Sequence, residues 1–170
     1  AGLESGGVAA LAGIDIDNAG YHINYLKGAF FRINPAKQKL TQRLIYPFPL
    51  PSGSLGAHTV PDVEGAMRIG PYDSWVQGID YAVDDSQKRP CYEAVKQFLP
   101  FLDLDDLEPD TSGIRPRLQV PGGPTKDFVI AHEAQRGLPG LINLVGMESP
   151  GLTSSPAIGK LVAEMVEEMA

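Results

Sequence analysis

The feature that most constrains the fold is the last thirty residues of the chain. A short apolar run from Leu141 to Val145 ends at Gly146 and leads into a Ser/Pro/Gly loop from Glu148 to Ser155. It then restarts as a strongly patterned helix. In that helix Ile158, Leu161, Val162, Met165, Val166 and Met169 recur at helical spacing, so one stripe needs another layer to cover it. Ser155 is placed to cap the helix, and Pro156 sits where a first helical residue tolerates proline. A strand, loop and helix in this order present free backbone N–H groups and the positive end of a helix dipole to an electron-rich ligand. Gly151 allows a ligand close to the backbone, while Leu152, Thr153, Ser154 and Ser155 offer N–H groups and hydroxyls. On spacing alone, a plain strand-to-helix turn with good capping is slightly the better reading.

The upstream residues fill in an α+β pattern. Ser5 to Ala12 reads as a short helix closed by Gly13, with Val8, Leu11 and Ala12 on its apolar side. Tyr21 to Ile33 is β-rich, and Leu40 to Tyr46 is placed to pair back across the turn at Asn34-Pro35-Ala36-Lys37. The prolines at 47, 49 and 51 make the next stretch extended loop. Leu55 to Val60 and Ala66 to Ile69 flank Asp62-Val63-Glu64-Gly65, a hairpin turn with Gly at the left-handed position, and Gly70-Pro71 stops the second strand. Asp73 to Asp85 is polar and irregular. Tyr92 to Leu99 reads as a helix ended by Pro100, and Leu104 to Leu107 as one more turn. Ile114 to Val120, Phe128 to Ala131 and Leu141 to Val145 complete the strands. The expected architecture is a mixed, largely antiparallel sheet with flanking helices, the final strand and helix belonging to a different layer.

Composition narrows the function classes. Lys and Arg number 14 against 21 Asp and Glu, a net charge of −7 without a basic cluster, which argues against a nucleic-acid partner. The single cysteine, Cys91, rules out an internal disulfide and fits a reduced, cytoplasmic setting. No apolar run approaches the roughly 20 residues of a membrane-spanning helix, which leaves peripheral membrane contact open. His58 is the best acid/base candidate, lying in a predicted strand just before Pro61. A neutral imidazole there can take a hydroxyl proton while a hydride leaves the same carbon, although a hydrogen-bonded sheet histidine is the plainer role. His22 and His132 are as available by composition, and the three lack metal-ligand spacing. Arg115 can hold a carboxylate bidentately. Arg117 shares its strand face, so the two are hard to separate, and a solvent-exposed ion pair stays equally open. Lys27 beside Gly28 is a further ligand candidate, set against an ordinary exposed hairpin lysine.

Taken in order, these segments resemble the C-terminal part of the D-amino-acid-oxidase-like FAD-dependent oxidoreductases, nearest the L-2-hydroxyglutarate dehydrogenase/oxidase-like members. The pieces are Gly2-Leu3, Lys27-Gly28-Ala29-Phe30-Phe31, and Leu55 to Pro61. Asp62-Val63-Glu64-Gly65 with Arg68-Ile69-Gly70-Pro71, Ser112 to Leu118, Asp127 to Ile130 and Leu144 to Ser155 follow. The resemblance implies three divisions: 1–20 as a remnant of a FAD-binding domain, 21–135 as an antiparallel substrate-binding domain, and 136–170 as the closing strand, loop and helix of the FAD-binding domain. It implies FAD as cofactor with Gly151, Leu152, Thr153, Ser154 and Ser155 against the flavin. His58 would be the proton acceptor, and Arg115 and Lys27 would hold the substrate. The Gly-x-Gly-x-x-Gly nucleotide fingerprint of a full member is absent from these residues, and Ala29 stands where such proteins often carry Glu or Gln.

The expected function is therefore that of a C-terminal fragment of an enzyme oxidising a small 2-hydroxy acid, L-2-hydroxyglutarate-like, to its 2-oxo acid. Its partners would be that small molecule and the N-terminal FAD-binding domain. Self-association through an uncovered apolar seam is a further expectation. The alternatives are a glycerol-3-phosphate or amino-acid oxidising relative, and a non-catalytic α+β ligand-binding module.

Overall fold

The computed structural model describes residues 1–48 and 56–169. In chain order the elements are α1 (Ser5–Leu11), α2 (Ile16–Ala19), β1 (Asn24–Ile33), β2 (His58–Pro61), β3 (Met67–Val76), α3 (Lys88–Val95), β4 (Leu107–Arg117), β5 (Val129–His132), β6 (Ile142–Val145) and α4 (Gly151–Glu167). One sheet has the order β2-β3-β1-β4, and a second consists of β5 and β6. The fold is α+β, with antiparallel pairing in both sheets. The chain divides into two compact units: Ala1–Leu26 with Arg115–Ala170, and Lys27–Ile114.

In the unit Lys27–Ile114 the core follows strand alternation. Ala29, Phe31 and Ile33 of β1 are buried at every second position, and Met67 and Ile69 of β3 join them. Cys91 and Val95 of α3, then Leu99, Leu102 and Leu107, close the cluster. Burial pushes the Cys91 thiol up to about 12, which leaves it an inert core residue. The hairpin of β2 and β3 pairs His58 with Gly70 and Pro61 with Met67. Its turn is built as the sequence predicts: Asp62 Oδ1 accepts from the N–H groups of Glu64 and Ala66, and Gly65 has φ +88°.

Several boundaries differ from the sequence reading. Gly70-Pro71 does not stop β3, which continues to Val76. Gly70 takes φ +144° with its backbone so close to Ala29 and Phe30 that a Cβ would sit 2.7 Å from the Ala29 carbonyl oxygen. Leu40 to Tyr46 forms no strand. It is a 3-10 turn (Gln38–Leu40) followed by an irregular segment tied to β2 through Thr59. β4 begins at Leu107, earlier than expected, and ends at Arg117; Pro109 and its polar outward residues hid it, while Asp110 is gripped by Arg32 and Arg68. α3 likewise starts earlier, with Cys91 and Val95 as its buried face. Leu55 and the stretch from Pro49 to Pro51 lie outside the described residues.

In the other unit, α1 packs on β6, and Ala9, Ile14, Tyr21, Leu118 and Val145 form the core. The apolar side expected for α1 is not the buried one. Ser5, Gly6 and Ala9 face inward, whereas Val8 and Leu11 are exposed. Small residues win because a Cβ on Gly6 would meet the Tyr21 carbonyl oxygen at 2.7 Å, so only glycine permits this approach. β5 and β6 pair antiparallel from Val129↔Val145 to His132↔Ile142. Between them the fully buried Glu133 accepts from Arg136 and Asn143, and Arg136 also lies over the Tyr21 ring.

Candidate active site

α4 is longer at its start than the sequence implies. It begins at Gly151, so Ser155 is not its cap and Pro156 lies inside it. The reason is a local repair. Pro156 has no N–H for the Leu152 carbonyl, and Ser155 Oγ donates to that carbonyl instead at 2.8 Å. Thr153 and Ser154 hydroxyls both donate to the Pro150 carbonyl, at 2.9 and 3.1 Å. The three hydroxyls therefore serve the helix. What the first turn presents outward is backbone: it has no side-chain cap and no acidic residue, and Leu152 is 89 % exposed. An uncapped positive dipole end with an accessible glycine suits an electron-rich ring or anion.

In the same unit Arg115 and Arg117 share a strand face, and both reach Glu148, just ahead of that turn. Arg117 Nε stands 3.0 Å from Glu148 Oε1, and Arg115 Nη1 stands 4.0 Å from Oε2. Arg117 also donates to Gln119 Oε1 at 2.9 Å. This separates the two arginines: Arg117 is an anchor, and Arg115, with its longer contact and 36 % exposed side chain, keeps charge to offer. Two guanidiniums facing one carboxylate carry a net positive charge. Gly146 makes the approach feasible, since a Cβ there would sit 2.8 Å from Leu118 Cγ. Sequence reading placed Glu148 at the start of the candidate loop but gave it no role; its signal is a lone acid in an otherwise uncharged loop, downstream of two arginines on one strand face.

His58 and Lys27 lie in the other unit. His58 opens β2, half-buried, with Nδ1 2.9 Å from the Gly56 carbonyl oxygen and its ring stacked on Tyr46. A carbonyl only accepts, so in the neutral ring Nδ1 carries the hydrogen and Nε2 the lone pair. That is the tautomer of a proton acceptor. Lys27 is not an exposed hairpin lysine: it is 6 % exposed, on the same β1 face as Ala29 and Phe31. Its ammonium donates to Asp80 Oδ2 at 3.3 Å and to the Ala82 carbonyl. The Ala82 N–H and the Lys27 ammonium together hold the Asp80 carboxyl below the usual carboxylate range.

Comparison with known proteins defines the class of this α+β frame: it is that of the FAD-dependent oxidoreductases. A family model described as FAD dependent oxidoreductase (DAO) matches residues 1–165, and the chain belongs to that family. It is 37 % identical over 150 residues to the mitochondrial L-2-hydroxyglutarate dehydrogenase of Arabidopsis thaliana, covering 82 % of this chain and 31 % of the relative. It is 25 % identical over 154 residues to a glycerol 3-phosphate dehydrogenase of Caloramator mitchellensis, covering 85 % and 28 %. Among solved structures, a FAD-bound, dithionite-reduced L-alpha-glycerophosphate oxidase of Mycoplasma pneumoniae superposes with a TM-score of 0.69 at 24 % identity, covering 93 % of this chain and 39 % of that one. A glycine oxidase of Geobacillus kaustophilus gives 0.61 at 22 %, covering 99 % and 40 %. The chain thus spans about a third of the length of these relatives. No helix among the described residues is long and apolar enough to cross a membrane.

Proposed function

We propose that this chain is the substrate-binding and flavin-facing part of an oxidoreductase that converts a small 2-hydroxy acid, L-2-hydroxyglutarate-like, to the 2-oxo acid. The observation in this chain that carries the reading is the His58 hydrogen bond to the Gly56 carbonyl, which leaves Nε2 as the acceptor atom. In this reading His58 takes the substrate's hydroxyl proton as the C2 hydride departs, and Arg115 holds the carboxylate. The buried Lys27 ammonium adds positive charge beside the substrate. Residues Gly151 to Ser155 fit one side of a FAD site: an uncapped first turn without an acid would favour negative charge on the ring. Bound FAD would supply the hydride acceptor. The nucleotide fingerprint would come from outside these 170 residues, and the unit Lys27–Ile114 would form most of the substrate-binding domain. A cytoplasmic setting, with or without peripheral membrane contact, belongs to the same proposal.

The test is anaerobic bleaching of bound flavin in a protein that joins these residues to their nucleotide-binding half. L-2-Hydroxyglutarate should reduce the flavin, and His58→Gln should slow that reduction by about a hundredfold or more. Glycerol 3-phosphate is the competing substrate, given the names of two of the relatives. If it bleaches the flavin and L-2-hydroxyglutarate does not, the substrate assignment moves to it.

A further inference from the structure

Thr59 is fully buried although it stands on the edge strand β2. Its Oγ1 donates to the Arg43 carbonyl at 2.7 Å and accepts the Ile45 N–H at 2.7 Å. Its own N–H donates to the Ile45 carbonyl at 3.2 Å. These three bonds fix an irregular segment that has no sheet partner of its own. The next residue in that segment is Tyr46. Its ring stacks on the His58 imidazole with centroids 4.2 Å apart and planes 23° from parallel. The imidazole is thus held by Tyr46 on one face and by the Gly56 carbonyl at Nδ1. Free to rotate about its side-chain bonds, it would exchange that bond for solvent and populate both tautomers.

We infer that Tyr46 and Thr59 are positioning residues for His58, with Thr59 stapling the segment and Tyr46 stacking on the ring so that the Nε2 lone pair is kept available. This rests on the reading of His58 as proton acceptor and extends it to two residues outside the reacting set. Neither touches the substrate in this account. The chemistry asks only for a ring contact and a hydroxyl, so Phe should replace Tyr46 and Ser should replace Thr59.

The experiment is long-range proton–nitrogen NMR of the 170-residue chain labelled with ¹⁵N-histidine, recorded where the imidazole is neutral. His58 is assigned by its loss in His58→Gln. Wild type, Tyr46→Phe and Thr59→Ser should show the Nδ1–H tautomer. Tyr46→Ala and Thr59→Val should lower the ratio of Nδ1–H to Nε2–H about fivefold, the scale of one lost aromatic or hydrogen-bond contact. Tyr46 is substantially exposed, so Tyr46→Ala keeps its fold, checked by amide dispersion. A folded Tyr46→Ala that retains the wild-type tautomer ratio overturns the inference. The tautomer measurement needs no flavin, so it stands apart from the functional reading. Loss of the tautomer in Tyr46→Ala with no effect of His58→Gln on flavin reduction would sink the catalytic role alone.

Discussion

Glu148 organises the residue scale, because it decides what the two arginines can do. Arg117 spends its fork on Glu148 and Gln119, and Arg115 is left with a 4.0 Å contact. Under the proposed function, Arg115→Lys should raise KM for a 2-hydroxy acid about 10- to 100-fold with little change in kcat, as a planar fork is exchanged for a point charge. Arg117→Lys should act instead on thermal stability, lowering it by about 1.5–3 kcal/mol through the partly lost anchor; steady-state kinetics and thermal unfolding separate the two. Asp80 makes a prediction in pH. Its folded pKa is depressed by the Ala82 N–H and then by Lys27, so its contribution is present above the ordinary carboxylate range near 4 and is lost as pH falls through the folded value. Asp80→Asn should flatten the acid side of the melting-temperature curve; an unchanged acid slope would contradict this.

At the scale of elements, glycine and proline positions decide the outcome more than periodicity does. Gly70→Ala should destabilise by about 2–4 kcal/mol, since it adds a Cβ at φ +144° against the Ala29 carbonyl and Phe30. Ser155→Ala should cost about 0.5–1 kcal/mol by leaving the Leu152 carbonyl without either donor; chemical denaturation measures both. These positions also mark where the sequence was legible. The β2–β3 turn, the β5–β6 strands and the existence of α4 could be read because alternation, turn residues and helical spacing agreed there. The first part of β4, before Ile114, could not, because Pro109 and Gly113 argue against a strand that ion pairs at Asp110 hold in place. The start of α4 was misplaced because a capping reading of Ser155 and Pro156 uses the same residues that instead repair the helix from within. His58, Arg115 and Lys27 could be nominated only as candidates by residue type, and the contacts of Glu148, Thr59 and Tyr46 are concealed by separation in sequence.

At the scale of the whole molecule, one unit carries four carboxylates held below their usual range. Asp62, Asp80, Asp84 and Asp106 all lie in the unit Lys27–Ile114. Burial alone would raise Asp62 and Asp106, but backbone N–H groups and the Arg68 and Lys37 charges outweigh it. Each of the four contributes stability above the usual carboxylate range that disappears as pH falls through its depressed value. Hydrogen exchange should therefore show that unit losing protection as pH falls below about 4. Protection unchanged across that range would contradict the assignment of these hydrogen bonds and ion pairs. Self-association, which the exposed Val8, Leu11 and Leu152 would support, is read directly by light scattering.

The central proposal is that this chain belongs to a flavin-dependent enzyme that oxidises a 2-hydroxy acid, with His58 as its proton acceptor. The most direct measurement is the absorbance of bound FAD, under anaerobic addition of L-2-hydroxyglutarate, in protein carrying these residues with their nucleotide-binding half. The account predicts that the yellow colour bleaches, and that it bleaches about a hundredfold more slowly in His58→Gln. A protein that folds but never binds flavin, or binds it and stays yellow with every 2-hydroxy acid offered, would contradict it.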